Sequence, residues 1–352
     1  MPFELTGGIN FRYTNVEITQ AINILPNRYG RIQRMGLFTP KPIRSIVAEI
    51  RRREGKLKVL TSTKRGAPPA AVENATEDSI LVKVPHFPWS NSLGPQDVQD
   101  IFAHREGPLQ TKTVDEALNE ILQDDRARAD QTLEFMRMGA LKGQIKDGSG
   151  TVKLDLYTTF GITKKTVYLD LDNADADVPG LCGDITDHIE DNLKGEQMDE
   201  ARTFVSSAQM RKIISHPSVE KYATSGGVQA MEVLRQAQLN AERNGFVREY
   251  HINGVTFETY RGSAELADGT TERFIADGVG HAFPVGTTNV FADYLAPAHA
   301  MSAANQPGVQ IWASAEPIDH DQGIDLQYQM NAMPICARPE LLVEVSSAAD
   351  PG

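Results

Sequence analysis

An α+β fold is the class this sequence predicts, and three observations carry it. Residues 113–143 place apolar side chains at helical spacing over an unusual length. Residues 152–157 and 167–172 then alternate apolar and polar side chains, the pattern of an antiparallel pair with one buried face. A last short strand over 341–345 comes from far along the chain and can return to that sheet.

The long helix shows its limits in the sequence. Thr113 and Glu116 form a capping box, and Asp115 and Glu116 suit the positive helix end. Lys142 followed by Gly143 marks the other end. Val114, Leu118, Ile121, Leu122, Ala129, Leu133, Met136 and Ala140 share one stripe, and Asp124 can pair with Arg128 on the polar side. Such a helix is roughly 40 Å long at 1.5 Å per residue. That length predicts a helix lying across a sheet or against another chain; an ordinary surface helix is the plainer alternative.

Bulk properties narrow the function classes. The chain has 352 residues, a formal net charge of −12 and two cysteines. This is the composition of a soluble globular protein with one large core or two to three smaller ones. No apolar run approaches the roughly 20 residues that span a bilayer. Met-Pro-Phe-Glu-Leu at the start carries no signal-peptide pattern. Cys182 and Cys336 stand in no metal or redox spacing, which predicts reduced thiols in a cytosolic setting. The acidic balance argues against general nucleic-acid affinity.

Along the chain, residues 1–40 read as an arm, with a short helix over 16–25 and too few apolar repeats for a core. In residues 41–90, Ile43, Ile46, Val47 and Ile50 begin an extended run, and Glu54-Gly55 is a hairpin signal before Leu57, Val59 and Leu60. Residues 80–84 are a returning strand. Between 41 and 65, basic residues stand at 41, 44, 51, 52, 53, 56, 58, 64 and 65, against acidic ones at 49 and 54. This patch can be a solvated loop, a nucleic-acid contact, or a charged arm meeting an acidic surface of a sister subunit. No aromatic residue interleaves the basic ones, which ranks nucleic acid last.

Residues 173–330 form a second region opened by a boundary loop over 173–180. Asp184 caps a helix with Ile185, Ile189 and Leu193 on one face. Phe204-Val205 is a short strand, 208–215 a helix closed by Pro217, and 228–241 a further helix ending before Gly245. Asn253-Gly254 is the strongest turn signal, setting Ile252 against Val255 and Tyr250 against Phe257. Asp268-Gly269 suggests a second turn. Ile324, Leu326, Tyr328 and Met330 alternate with polar residues as a half-buried strand.

The search for chemistry is mostly negative. Gly278-Val279-Gly280-His281 lacks the third glycine of a dinucleotide loop, and no phosphate cradle, nucleophile elbow or His-Glu-x-x-His pair occurs. Asp319-His320-Asp321 offers residue types that bind a metal or orient an imidazole, but adjacent residues point in different directions and the run reads as a polar turn between Pro317 and Gly323. His281 is read as a packed or loop histidine. No catalytic set, cofactor or metal is expected, and no enzymatic turnover.

The order of parts then becomes informative: an arm, a basic hairpin, a long helix on a sheet, a mixed region and a returning strand. Four stretches are the most telling. They are Arg65-Gly66 through Val82-Lys83-Val84, the helix end Ala140-Leu141-Lys142-Gly143, the run from Gly278 to Gly286, and the tail from Met333 to Val343. In these the chain resembles the major capsid proteins of tailed bacteriophages, and most closely the phage lambda major head protein family.

The resemblance implies a capsid fold: N-terminal arm 1–40, extended loop 41–90, peripheral domain 91–172 with its spine helix over 113–142, axial domain 173–330, and a C-terminal return over 331–352. It implies a homo-oligomer of hexamers and pentamers in an icosahedral shell around double-stranded DNA, assembled in the host cytoplasm. The same resemblance implies a separate scaffold protein and a portal as partners, and leaves room for a decoration protein. In the resembled fold the extended loop lies over the adjacent subunit. Arg51, Arg52, Arg53, Lys64 and Arg65 are therefore expected to face carboxylates across the subunit interface. Two other classes stay open at this point: an α/β hydrolase or transferase using His281 or His320, and a nucleic-acid-binding protein using 41–65.

Overall fold

The computed structural model describes residues 15–24, 30–54, 76–99, 114–225 and 249–351. They divide into two units. The first holds the described residues of Met1–Ala48, Lys83–Met136 and Asp293–Pro334, the second those of Glu49–Val82, Arg137–Ala292 and Ile335–Gly352.

In the first unit, α1 (Asn15–Ile24) buries Ile18 and Ile22, and α2 (Arg31–Met35) buries Ile32. The short arm helix expected from residue 16 thus begins one residue earlier. Strand β1 (Thr39–Pro42) is exposed along its length. β2 (Val47–Glu54) pairs with β3 (Thr76–Lys83) in a two-stranded sheet, most of which falls within Glu49–Val82 of the second unit. Gly55, Leu57, Val59 and Leu60, and with them the expected tight turn, lie outside the described residues. β4 (Phe87–Leu93) and α3 (Gln96–Gln99) follow.

The long helix is α4 (Val114–Lys142), 29 residues. Thr113, half of the expected capping box, lies outside the described residues. Of the predicted stripe, Leu118, Leu122, Ala129, Leu133, Met136 and Ala140 are buried, while Val114 and Ile121 are half-buried. Also buried are Asp125, Arg126, Asp130, Glu134 and Arg137, which stand outside the predicted stripe. The expected Asp124–Arg128 pair is replaced by Arg128 with Asp125, 3.5 Å apart, because Asp125 is the carboxylate that the helix turns inward.

In the second unit, α4 stops at Gly143, whose φ of +84° is left-handed and whose Cβ would lie 2.1 Å from the Tyr157 ring. Only glycine fits there. β5 (Gln144–Lys146) pairs antiparallel with β6 (Val152–Asp155). This corrects the expected pairing of 152–157 with 167–172. Asp155 accepts the Thr158 N–H at 3.0 Å and caps a short helix, α5 (Leu156–Phe160), ended by Gly161. The alternating run therefore breaks into a strand and a helical turn, and β7 (Lys165–Tyr168) goes to a different sheet.

α6 (Val178–Asn192) is capped by Asp177, not Asp184, which lies inside the helix. Pro179 fits the first turn, where no N–H is needed, so the helix starts before the expected cap. Ile185, Ile189 and Leu193 are buried as the spacing required. Next come β8 (Glu200–Val205), α7 (Ser207–Ile214) and α8 (Pro217–Ser225), so Pro217 opens a new helix as well as following the previous one. The helix expected over 228–241 lies outside the described residues. β9 (Glu249–Ile252) and β10 (Val255–Thr259) form the predicted hairpin, with Ile252 opposite Val255 and Tyr250 opposite Phe257. Asn253 and Gly254 both have positive φ, 42° and 87°. β11 (Ser263–Glu265) and β12 (Thr271–Arg273) pair around Gly269, and β13 (Val279–Val285) follows.

The chain closes with β14 (Phe291–Leu295), β15 (Trp312–Ile318), β16 (Gly323–Met330), β17 (Ala332–Cys336) and β18 (Val343–Ser346). Ile324, Leu326, Tyr328 and Met330 are buried, as the alternation predicted. β15, β16 and β4 form one sheet in that order, with Trp89 stacked on Tyr328 at 5.4 Å between ring centroids. β14 lies between β1 and β17 in another. The final strand starts two residues later than expected, after a 3-10 turn at Pro339–Leu341. It does return to 165–168: β18 runs parallel to β7 and antiparallel to β13 inside a six-stranded sheet ordered β7-β18-β13-β8-β10-β9.

Arg202 on β8 is the polar centre of that sheet. It donates to Glu200, to Glu249 at 2.9 Å and to the fully buried Glu258, while Thr256 donates to Glu200 at 2.8 Å. Removing one partner of a buried ion pair costs about 3–5 kcal/mol. Arg202→Ala is therefore expected to lower the unfolding free energy of unassembled subunits by that amount in urea titration; a loss under 1 kcal/mol would refute this role. Cys182 and Cys336 are buried and free, and burial pushes the Cys182 thiol up to about 12 and raises Cys336 as well. Thiolate is the reactive form, so native protein at pH 8 should label with Ellman's reagent at less than about a tenth of the rate in denaturant.

Candidate subunit interface

Among the five basic residues expected at an interface, Arg51, Arg52 and Arg53 stand consecutively on β2. Lys64 and Arg65 lie outside the described residues. The ribbon has no third strand among the described residues, which leaves its outer edges open. Leu81 on β3 is 71% exposed, and Ile46, just before β2, is 61% exposed. Large apolar side chains on an open ribbon carrying consecutive arginines are what a docking arm needs. One basic residue of the patch is already used within the chain: Lys41 lies over the Tyr294 ring, 5.0 Å from its centroid.

Carboxylates complementary to such an arm are present. In the second unit a cleft of about 700 Å³ is bordered by Glu190, Glu196, Asp199 and Glu200, with Lys194 and His251. Glu200 is tied to Arg202 and Thr256, so its charge is partly committed. No group of three His, Cys, Asp or Glu side chains among the described residues has the arrangement of a metal site.

The histidines are placed where chemistry is poor. His281 is buried in β13, between β8 and β18, and burial together with Lys142 and Lys164 pushes its pKa down to about 3. It is a neutral packed imidazole at physiological pH. His320 sits in the 3-10 turn Asp319–Asp321 with φ of 63°, an exposed polar turn as its sequence context suggested.

Sequence reasoning missed the inward-facing charges of α4. Arg126 donates to Asp130 at 3.0 Å, to the Ile22 carbonyl at 3.3 Å and to Gln310 at 3.3 Å, and Gln310 donates to Asp130 at 3.2 Å. Glu134 accepts the Ile32 N–H at 2.8 Å and the Gln33 N–H at 3.3 Å, satisfying the start of α2. A signal was available: positions 126, 130, 134 and 137 recur at helical spacing themselves, a second stripe beside the apolar one.

With the geometry in hand, comparison with known proteins is informative. The model of a family described as phage major capsid protein E matches residues 14–347. The major capsid protein of Salmonella phage Felix O1 (isolate Felix O1-VT1) is 28% identical, over 99% of this chain and 100% of its own length. The major capsid protein of Pseudomonas phage KPP10 is 25% identical, over 96% of this chain and 97% of its own. Among solved structures, a prophage protein described as a capsid protein, from E. coli CFT073, is similar with a TM-score of 0.59 at 12% identity. That likeness covers 95% of this chain and 99% of the other, and speaks to the fold.

Proposed function

We propose, from the premise that this chain belongs to the phage major capsid protein E family, that its copies close into hexamers and pentamers of an icosahedral shell around double-stranded DNA. It is a tailed-phage major capsid protein that forms phage heads; its place is the virion capsid, and it is a structural protein, not an enzyme. The family match across 14–347 is the observation that carries this. Kinship with the lambda head protein family in particular rests on the four sequence stretches and is part of the proposal.

So is the division of labour along the chain. Residues 1–40 act as the arm, 41–90 as the extended loop, 91–172 as the peripheral domain, 173–330 as the axial domain, and 331–352 as the return to the peripheral domain. A separate scaffold protein and a portal are the partners such a shell calls for, with room for a decoration protein. The acidic total charge suits a container that holds DNA without gripping it.

Arg51, Arg52, Arg53, Lys64 and Arg65 meet carboxylates of the adjacent subunit in this proposal. Each exposed pair contributes only about 0–1 kcal/mol, but a shell repeats it at every contact. Screening over roughly 8 Å at physiological ionic strength makes these contacts salt-sensitive.

Negative-stain microscopy of purified protein is the direct test, and closed particles of uniform diameter are expected. Replacing Arg51, Arg52 and Arg53 together with Glu should leave circular dichroism and thermal melts unchanged while sedimentation velocity shows no stable shells. Normal shells from the triple variant would mean that these residues are a solvated face.

A further inference from the structure

β15 has a strand on one side only among the described residues, β16, and its other edge is met by a helix. Asn15, Thr19 and Asn23 recur every four residues on α1. Asn15 Oδ1 accepts the Ala315 N–H at 3.3 Å, and Thr19 Oγ1 accepts the Ala313 N–H at 3.1 Å. The Thr19 hydroxyl also donates to the Ala313 carbonyl at 2.9 Å, and Asn23 Nδ2 donates to the Ile311 carbonyl at 2.8 Å. Four helical residues rise about 6 Å and two strand residues about 6.6 Å, so the two ladders stay in step over three rungs. The side chains of the helix do what a neighbouring strand's backbone would do.

The groups they satisfy have a symmetry of their own. Ala313 presents both its N–H and its C=O, flanked by the Ala315 N–H on one side and the Ile311 C=O on the other. Two antiparallel copies of this edge, related by a two-fold axis, would match without adjustment. Ala313 would exchange both bonds with Ala313 of a second copy, and Ala315 would pair with Ile311. Helix α1 has ten residues, too few to be stable alone in water, so its order depends on this docking. Its C-terminal end is held by Arg126, which bonds the Ile22 carbonyl and Asn23 Oδ1 at 3.3 and 3.4 Å.

We infer that α1 is a releasable cap on a latent two-fold interface: when it leaves, the β15 edge pairs with β15 of a second copy of this chain. The inference goes beyond the shell proposal and stands on these hydrogen bonds. It also gives the arm a purpose, since an open strand edge invites association at the wrong place and time.

Amide hydrogen exchange on full-length subunits, kept dilute enough to stay unassembled, is the test. The double variant Asn15→Leu/Thr19→Val removes three of the four hydrogen bonds while keeping the branching of each side chain. Exchange at Ala313 and Ala315 should rise by at least about tenfold, while the β16 amides on the covered side stay protected and so report an intact fold. Thr19→Ser alone, which keeps the hydroxyl, should exchange like the parent protein. As concentration rises, sedimentation velocity should show dimers of the double variant, with Ala313 and Ala315 protected again.

Unchanged exchange in the double variant would overturn the cap. Fast exchange at every concentration, or aggregation without renewed protection at these two amides, would overturn the two-fold pairing. A failure to form shells would count against the proposed function alone, because exchange is read on single subunits.

Discussion

Four ionisable side chains of α4 in the first unit, Asp125, Arg126, Asp130 and Glu134, are withdrawn from water, and an unpartnered buried charge costs several kcal/mol, roughly the stability margin of a domain. Much of that unit is arranged to meet this constraint. The α1 helix brings the Ile22 carbonyl and Asn23 to Arg126, the residues before β15 bring Gln310 to Arg126 and Asp130, and α2 presents two N–H groups to Glu134. Asp125 is held by Asn91 from β4, and its pKa is raised chiefly by burial. Directional partners of this kind make a helix choose one position on its neighbours, where an apolar stripe alone tolerates sliding. A protein built to repeat one shape many times gains from that choice.

The second unit reaches definition by a different route. Its six-stranded sheet joins strands from residues 165 to 346, and apolar packing dominates: Phe204, Phe257 and Phe283 are fully buried, and Phe204 and Phe283 lie 5.0 Å apart between ring centroids. Arg202 adds one specific polar knot on β8. The β2–β3 ribbon has no third strand among the described residues, and three arginines follow one another on β2.

Local signals were legible where one principle dominates. Spacing located the C-terminal end of α4 at Lys142, and Asn253-Gly254 set the register of β9 with β10, because positive φ at both positions admits few alternatives. Alternation found β16 with its buried face. Misreadings came where short-range chemistry overrode periodicity. Asp155 capped a helical turn inside an alternating run, and Pro179 let α6 begin before Asp184. The arm's helical ladder on β15 was illegible because its partner lies 294 residues away, and Asn, Thr and Asn on a short helix carry no pattern until the strand is beside them. For the interface, composition marked the basic cluster, while the surface it would meet depends on how copies are placed and no single chain encodes that visibly.

The position of β18 bears on how the protein is made. A strand from the chain's last stretch lies between β7 and β13, so two earlier segments are held in wait for it. At 5–20 residues per second, β7 leaves the ribosome on the order of 10–35 s before β18 exists. Once β13 has been made, the nascent sheet stays in two separate pieces until β18 arrives, with bare edges where the missing strand belongs. Vectorial synthesis thus imposes a clock: the second unit closes late, and a polysome crowded with unfinished copies holds few finished surfaces on which a shell could nucleate. A chaperone that shields strand edges for tens of seconds would suit this topology better than one that acts on the completed chain.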